Sequence, residues 1–270
     1  MSDRLITITS AEDPRVSAYK NIRERDLVGR QGLFIAEGKS VLAVLVEHQR
    51  TFGIQSIFIL ENRLGSVENI LADVDPKTPI YVASREVMDE LAGFAIHRGI
   101  LAVGVRPNKI DQPPTTEASQ RWQTIIAVSA LANHDNVGGI FRNAAALGAD
   151  AVLMDAATCD PFYRKAIRVS VGGVFKVPMH RFETTLAMHN WLDENAFSTF
   201  AFTPKSGQPL ETWRAPDKTA VLFGAEGPGL GPDLLGVSNT LSIAMDAGMD
   251  SLNVATTSAL ALFHIRQTRK

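Results

Sequence analysis

The 270-residue chain has a single cysteine, Cys159. One thiol excludes an intramolecular disulfide and any multi-cysteine zinc or iron–sulfur site. The six histidines (48, 97, 134, 180, 189, 264) lack metal-ligand spacing, and no His-Glu-x-x-His occurs, so no metal is expected. No uncharged apolar run approaches the roughly 18 residues of a membrane helix. The N-terminus has neither the basic-then-apolar pattern of a signal peptide nor the acid-poor pattern of a transit peptide, so a cytoplasmic protein is expected. Charge of one sign is also missing: 27 Lys and Arg stand against 29 Asp and Glu, a net charge of −2. That excludes a uniformly basic nucleic-acid coat but leaves room for a basic patch on one face.

What is present reads as an ordinary globular α/β protein. Hydrophobic residues make up 45% and charged residues 21% of the chain. Three prolines and many polar residues mark 107–121 as a linker between an N-terminal part, 1–106, and a C-terminal part, 122–270. In the first part Asp13-Pro14 signals a helix start, with Val16, Tyr19 and Ile22 at helical spacing. Strand signals at 34–36, 54–60, 80–82 and 100–105 alternate with helices at 40–49 and from Ser84. The second part alternates more clearly. Strands are predicted at 124–131, 151–155, 197–202, 220–223 and 241–245, and helices at 137–147, 165–171, 184–195 and 251–267. The pattern predicts a mostly parallel sheet covered by helices, with ligands beyond the carboxyl ends of the strands.

Three unusual segments each follow a predicted strand. The first is Asn133 to Asn143, where Asn136 is a natural N-cap and Arg142 lies almost two turns further on, both bordering one cleft edge. The second is Phe223 to Pro232, whose four glycines let a backbone approach a ligand. It has no lysine for a P-loop, and Pro232 occupies the third glycine slot of the dinucleotide fingerprint. Glu226, read as buried among these glycines, requires a partner. The third is Ile243 to Ala255, where a strand ends and a helix opens near Ser251, capped by Asp250 or Ser251. Ser170 has Arg168 where a hydrolase elbow needs glycine. The basic run Tyr163 to Arg168 offers contacts to phosphates.

Taken in this order, Asn-x-Gly-Gly-Ile-x-Arg, Gly-Ala-Glu-Gly-Pro-Gly-Leu and Ser-Leu-Asn-Val-Ala resemble the motifs of the SpoU/TrmH ribose 2′-O-methyltransferases, a family of the SPOUT class. The resemblance spans roughly 124–266, and 160–173 resembles the stretch between the first two motifs. Less specifically, 32–38 and 97–102 resemble the ribosomal-protein-like RNA-binding domain that precedes many members. The resemblance implies a trefoil knot in 122–270 and S-adenosylmethionine held largely by backbone at Gly224, Ile243 and Leu252. It implies active-site roles for Asn136, Arg142, Glu226 and Asn253, and a homodimer. The expected substrate is RNA, ribosomal RNA before transfer RNA, with RNA contacts at Arg23, Arg25, Arg164, Lys165 and Arg168, joined by Arg15, Lys20 and Arg30. The alternatives are a transfer RNA methyltransferase or a non-catalytic RNA-binding protein that keeps the fold.

Overall fold

The computed structural model describes residues 4–20, 28, 31–92, 98–204, 207–246 and 249–269. The chain forms two compact units, one of Met1–Pro107 with Phe162–Lys176, the other of Asn108–Pro161 with Val177–Lys270. Residues 162–176 thus group with the first unit, and 108–121 with the second.

The first unit holds a five-stranded sheet in the order β1 (Leu5–Ile8), β4 (Ile80–Ala83), β3 (Ile54–Leu60), β5 (Ile100–Val105), β2 (Leu33–Glu37). β1, β4 and β3 run parallel, and β5 and β2 pair antiparallel to their neighbours. β1, four residues long, is too short to stand out by period in the sequence. Asp13 does cap the next segment, accepting from the Arg15 N–H, but Pro14–Tyr19 is a 3₁₀ helix rather than an α-helix. Val16 and Tyr19 enter the core, where the Tyr19 hydroxyl meets Ser56 Oγ at 2.8 Å beside Phe58. A second cluster explains why 162–176 belongs here. Phe162 and Phe175 lie 5.1 and 5.2 Å from the Phe34 ring, and Phe52 closes the group. Four mutually packed aromatic rings bury more apolar surface than most aliphatic groups of equal number.

The second unit is a seven-stranded, wholly parallel sheet. Its order is β10 (Gln208–Pro209), β12 (Asn239–Ser242), β9 (Ser198–Phe202), β11 (Thr219–Phe223), β6 (Thr124–Val128), β7 (Ala151–Asp155), β8 (Met179–Phe182). β6, β7 and β11 are buried throughout, as continuous apolar runs require. β8 and β10 were not read from the sequence, since their short or polar runs carry no period-two signal. The stretch read as a linker is structured: Asn108–Asp111 and Thr116–Ser119 are short helices, Ile110 is buried, and the Gln112 carbonyl lies 2.8 Å from His180 Nδ1. From β6 the chain runs outward through β7 to β8, then returns to the other side at β9. The strand order thus reverses around β6 and β11, the place where parallel sheets form ligand crevices.

Candidate active site

The three motif segments converge at the carboxyl edge of this sheet. Helix His134–Leu147 follows β6, and its N-cap is Asn133, whose side chain accepts from the Asp135 N–H. Asn136 is therefore not the cap that its residue type suggested. It lies inside the first turn and is 3% exposed. Its Nδ2 donates to Glu226 Oε1, and its Oδ1 accepts from Asn253 Nδ2 at 2.8 Å. Each motif thus contributes one side chain to a single chain of amide and carboxylate bonds.

Glu226 is exposed rather than buried among its glycines, and Asn136 is the partner its charge meets. The loop carrying it folds back on itself through an Ala225–Gly229 bridge, in which the Gly229 N–H donates to the Ala225 carbonyl at 2.9 Å. Gly224 makes this possible: a Cβ there would lie 2.3 Å from the Gly229 carbonyl carbon. Gly227 and Gly229 have φ of +87° and +71°, the left-handed region that favours glycine.

Asn253 has two tasks. Its Oδ1 caps helix Val254–Thr268 by accepting from the Ala255 and Thr256 N–H groups, while its Nδ2 reaches Asn136. The final helix thus opens at Val254 with Asn253 as cap, not at Ser251. Helices His134–Leu147 and Val254–Thr268 touch closely at Gly139, where a Cβ would stand 2.7 Å from Ala255 Cβ. Asn143 stitches the same contact, donating to the Ala255 carbonyl at 2.6 Å and to Ser258 Oγ at 2.9 Å. Its residue type alone gave no sign of this.

Two cavities open at this edge. The larger, about 640 Å³, is lined by Gly224, Ala225, Glu226, Ile243, Leu252 and Asn253, and by Phe202 and Phe223. All three positions implied for cofactor contact, Gly224, Ile243 and Leu252, line it. The smaller, about 310 Å³, lies between residues 130–133, Asn136, Ala225 and Glu226. Arg142 stands apart. It is exposed on the helix and lines neither cavity.

The residues read as RNA contacts fall in the first unit. Lys165 and Arg168 are exposed on helix Arg164–Val169, whereas Arg164 is half-buried, its Nη1 3.9 Å from the buried Glu37 carboxylate. Arg15 pairs with Asp13 and Lys20 with Glu12. Arg23, Arg25 and Arg30 lie outside the described residues. No cluster of metal-ligating side chains occurs among the described residues, and no described helix is long and apolar enough to cross a membrane.

Residues 123–263 match the SpoU rRNA Methylase family. The chain belongs to this family. An uncharacterised tRNA/rRNA methyltransferase of Mycobacterium tuberculosis is 34% identical over 95% of this chain and 90% of its own. The 23S rRNA (guanosine(2553)-2′-O)-methyltransferase RlmP of Bacillus subtilis is 22% identical over 96% of this chain and 98% of its own. In fold, the chain resembles an AdoMet-bound rRNA methyltransferase from Sinorhizobium meliloti, with a TM-score of 0.79 at 19% identity over 98% of each chain. The SpoU family match covers all three segments that meet at the cavities, and most of the second unit.

Proposed function

We propose that the protein is an S-adenosylmethionine-dependent RNA methyltransferase that modifies a ribose 2′-hydroxyl, acting on ribosomal RNA. The observation that carries this is the meeting of Asn136, Glu226 and Asn253 between two adjoining cavities. A methyl transfer needs two neighbouring sites, one for the donor and one for the acceptor, held in fixed relation.

The larger cavity fits the donor. Its volume is that of a small-molecule site. Its glycine-rich wall exposes backbone N–H and carbonyl groups to a polar ligand, and Gly224 leaves no room for a side chain there. Gly224, Ile243 and Leu252 would hold S-adenosylmethionine, which supplies an electrophilic methyl group. As the ribose oxygen takes the methyl group, the sulfur–methyl bond would break to leave S-adenosylhomocysteine and the hydroxyl proton would pass to the neighbouring substrate phosphate, so the charge developing on that oxygen requires stabilisation. Asn136, Glu226 and Asn253 hold the two loops and the final helix in register around it. An exposed guanidinium is a fixed cation and a poor base. Arg142 therefore binds the substrate phosphate and orients the ribose rather than removing the proton.

Relatives named for ribosomal RNA favour that substrate over transfer RNA. Lys165 and Arg168 are exposed for phosphate contacts, with Arg23 and Arg25 proposed alongside them. Leu260 and Phe263, 40% and 54% exposed on the final helix, suit the interface of a homodimer. The second unit is proposed to carry the trefoil knot of the class. The protein is placed in the cytoplasm, where unmodified RNA is found.

Calorimetry tests the donor site. One S-adenosylmethionine per chain, displaced by S-adenosylhomocysteine, is the expected result. Binding of a nicotinamide dinucleotide without S-adenosylmethionine would overturn the reading. Cofactor binding without transfer to any RNA or ribosomal particle would favour a non-catalytic RNA-binding protein.

A further inference from the structure

One buried charge at the same sheet edge has no part in the site described above. Asp155 ends β7 and is 4% exposed. Its Oδ1 accepts from the Thr158 N–H at 2.9 Å, Thr158 Oγ1 at 2.8 Å and the Ala130 N–H at 3.0 Å. Its Oδ2 accepts from Ser129 Oγ at 2.7 Å and Thr185 Oγ1 at 2.8 Å. Burial pushes the carboxyl up, but the bonds from Ala130, Ser129, Thr158 and Thr185 together outweigh it and hold it below the usual range.

What the charge grips is unusual. Ala130 has φ +54°, a conformation that an L-residue with a Cβ rarely adopts. The carboxylate bonds its N–H with both oxygens, the second at 3.2 Å. The next residues are fixed in turn. The Leu131 N–H donates to Thr158 Oγ1 at 3.4 Å, its carbonyl accepts from the Cys159 N–H at 2.8 Å, and Asn133 caps the helix that carries Asn136. Residues 130–133 are also the wall of the smaller cavity. A strained turn persists only where its surroundings over-determine it, and such turns cluster at functional sites.

We propose that Asp155 is a positioning residue for methyl transfer: by pinning the Ala130 turn, it shapes the smaller cavity as the acceptor-nucleotide site and sets Asn136 against Glu226. This rests on the methyltransferase reading above. The turn that Asp155 pins borders the acceptor side only, because residues 130–133 line the smaller cavity and not the larger.

The test compares wild type, Asp155→Asn, Ala130→Gly and the double variant. Asp155→Asn is expected to lower kcat on RNA about tenfold, since bonds to a charged acceptor are lost. Its S-adenosylmethionine affinity should fall much less than kcat, because neither Asp155 nor residues 130–133 line the larger cavity. Glycine adopts positive φ freely. Ala130→Gly alone therefore sets the reference, and Asp155→Asn should cost much less kcat in that background than in wild type. Should Asp155→Asn fail to fold, Thr185→Val removes a single donor and should give the same pattern more weakly. Cofactor affinity falling in step with kcat, or an equal loss of kcat in the Ala130→Gly background, overturns the proposal. A wild-type protein that binds cofactor but methylates no RNA removes the methyltransferase reading, and this inference with it.

Discussion

Replacing Gly139 by alanine sets two known effects against each other. In a helix interior, Gly→Ala normally gains about 0.8–1 kcal/mol. Here the new Cβ would meet Ala255 Cβ at 2.7 Å, whereas ordinary contacts begin near 3.4 Å. The two helices must part by about 0.7 Å, a shift typical of overpacked cores that cost about 1–3 kcal/mol. The expected net loss is about 0–2 kcal/mol by the difference of those terms. The damage is directional. Parting the helices stretches the Asn143 bond to the Ala255 carbonyl and the Asn253 bond to Asn136. Urea unfolding of Gly139→Ala, Ala255→Gly and the double variant isolates the contact as a coupling energy of about 0.5–3 kcal/mol. The larger cavity uses Leu252 and Asn253, so cofactor affinity should weaken in Gly139→Ala and recover in the double variant. If Gly139→Ala is more stable than wild type by the full propensity gain, with affinity unchanged, the close helix contact is not what holds the site.

Asn136→Ala removes the bonds to Glu226 and Asn253, whose exposed groups turn to water, and each lost bond should cost about 0.5–1.5 kcal/mol in urea unfolding. Asn253→Ala also removes a helix cap, worth about 0.5–2 kcal/mol more, so it should be the less stable of the two. Arg142→Ala should abolish methyl transfer with cofactor affinity intact. Arg142→Lys should retain measurable turnover if the residue supplies charge to a phosphate, and none if the forked geometry is required. Burial pushes the His180 ring below its ordinary 6.5, with Lys109 adding to this and the Gln112 carbonyl opposing it. The folded state then favours the neutral ring. Its contribution to stability is full above pH 6.5 and is lost as the pH falls below that value, so melting temperatures of His180→Gln should depend less on pH from 7.5 to 5.5.

Much of the site was legible because its chemistry is local. Three polar motifs, each after an apolar strand, put their segments at the carboxyl edge of a parallel sheet, and the resemblance to the SpoU/TrmH motifs singled out Asn136, Glu226 and Asn253, which the structure joins. Which asparagine caps which helix was not legible. Asn133 and Asn136 have equal capping propensity, and the choice falls to packing, which buries Asn136. Asp250, Ser251 and Asn253 competed in the same way. Asp155 read as the last residue of a strand, and nothing local reveals that five donors from four residues reach it. Residues 162–176 carry apolar side chains that suit either unit. Only the partners Phe34 and Phe52, more than a hundred residues away, decide that they complete the first core. Strands β8 and β10 escaped because Met179–Phe182 presents two half-buried basic residues and Gln208–Pro209 is too short for any periodicity.

The most direct measurement incubates the purified protein and methyl-labelled S-adenosylmethionine with unmodified ribosomal RNA or transfer RNA, followed by digestion to nucleosides. Label recovered in a 2′-O-methylnucleoside from ribosomal RNA, and lost with Arg142→Ala, is the expected result. Label in a base-methylated nucleoside, or transfer that persists in Arg142→Ala, would contradict the assignment of this site.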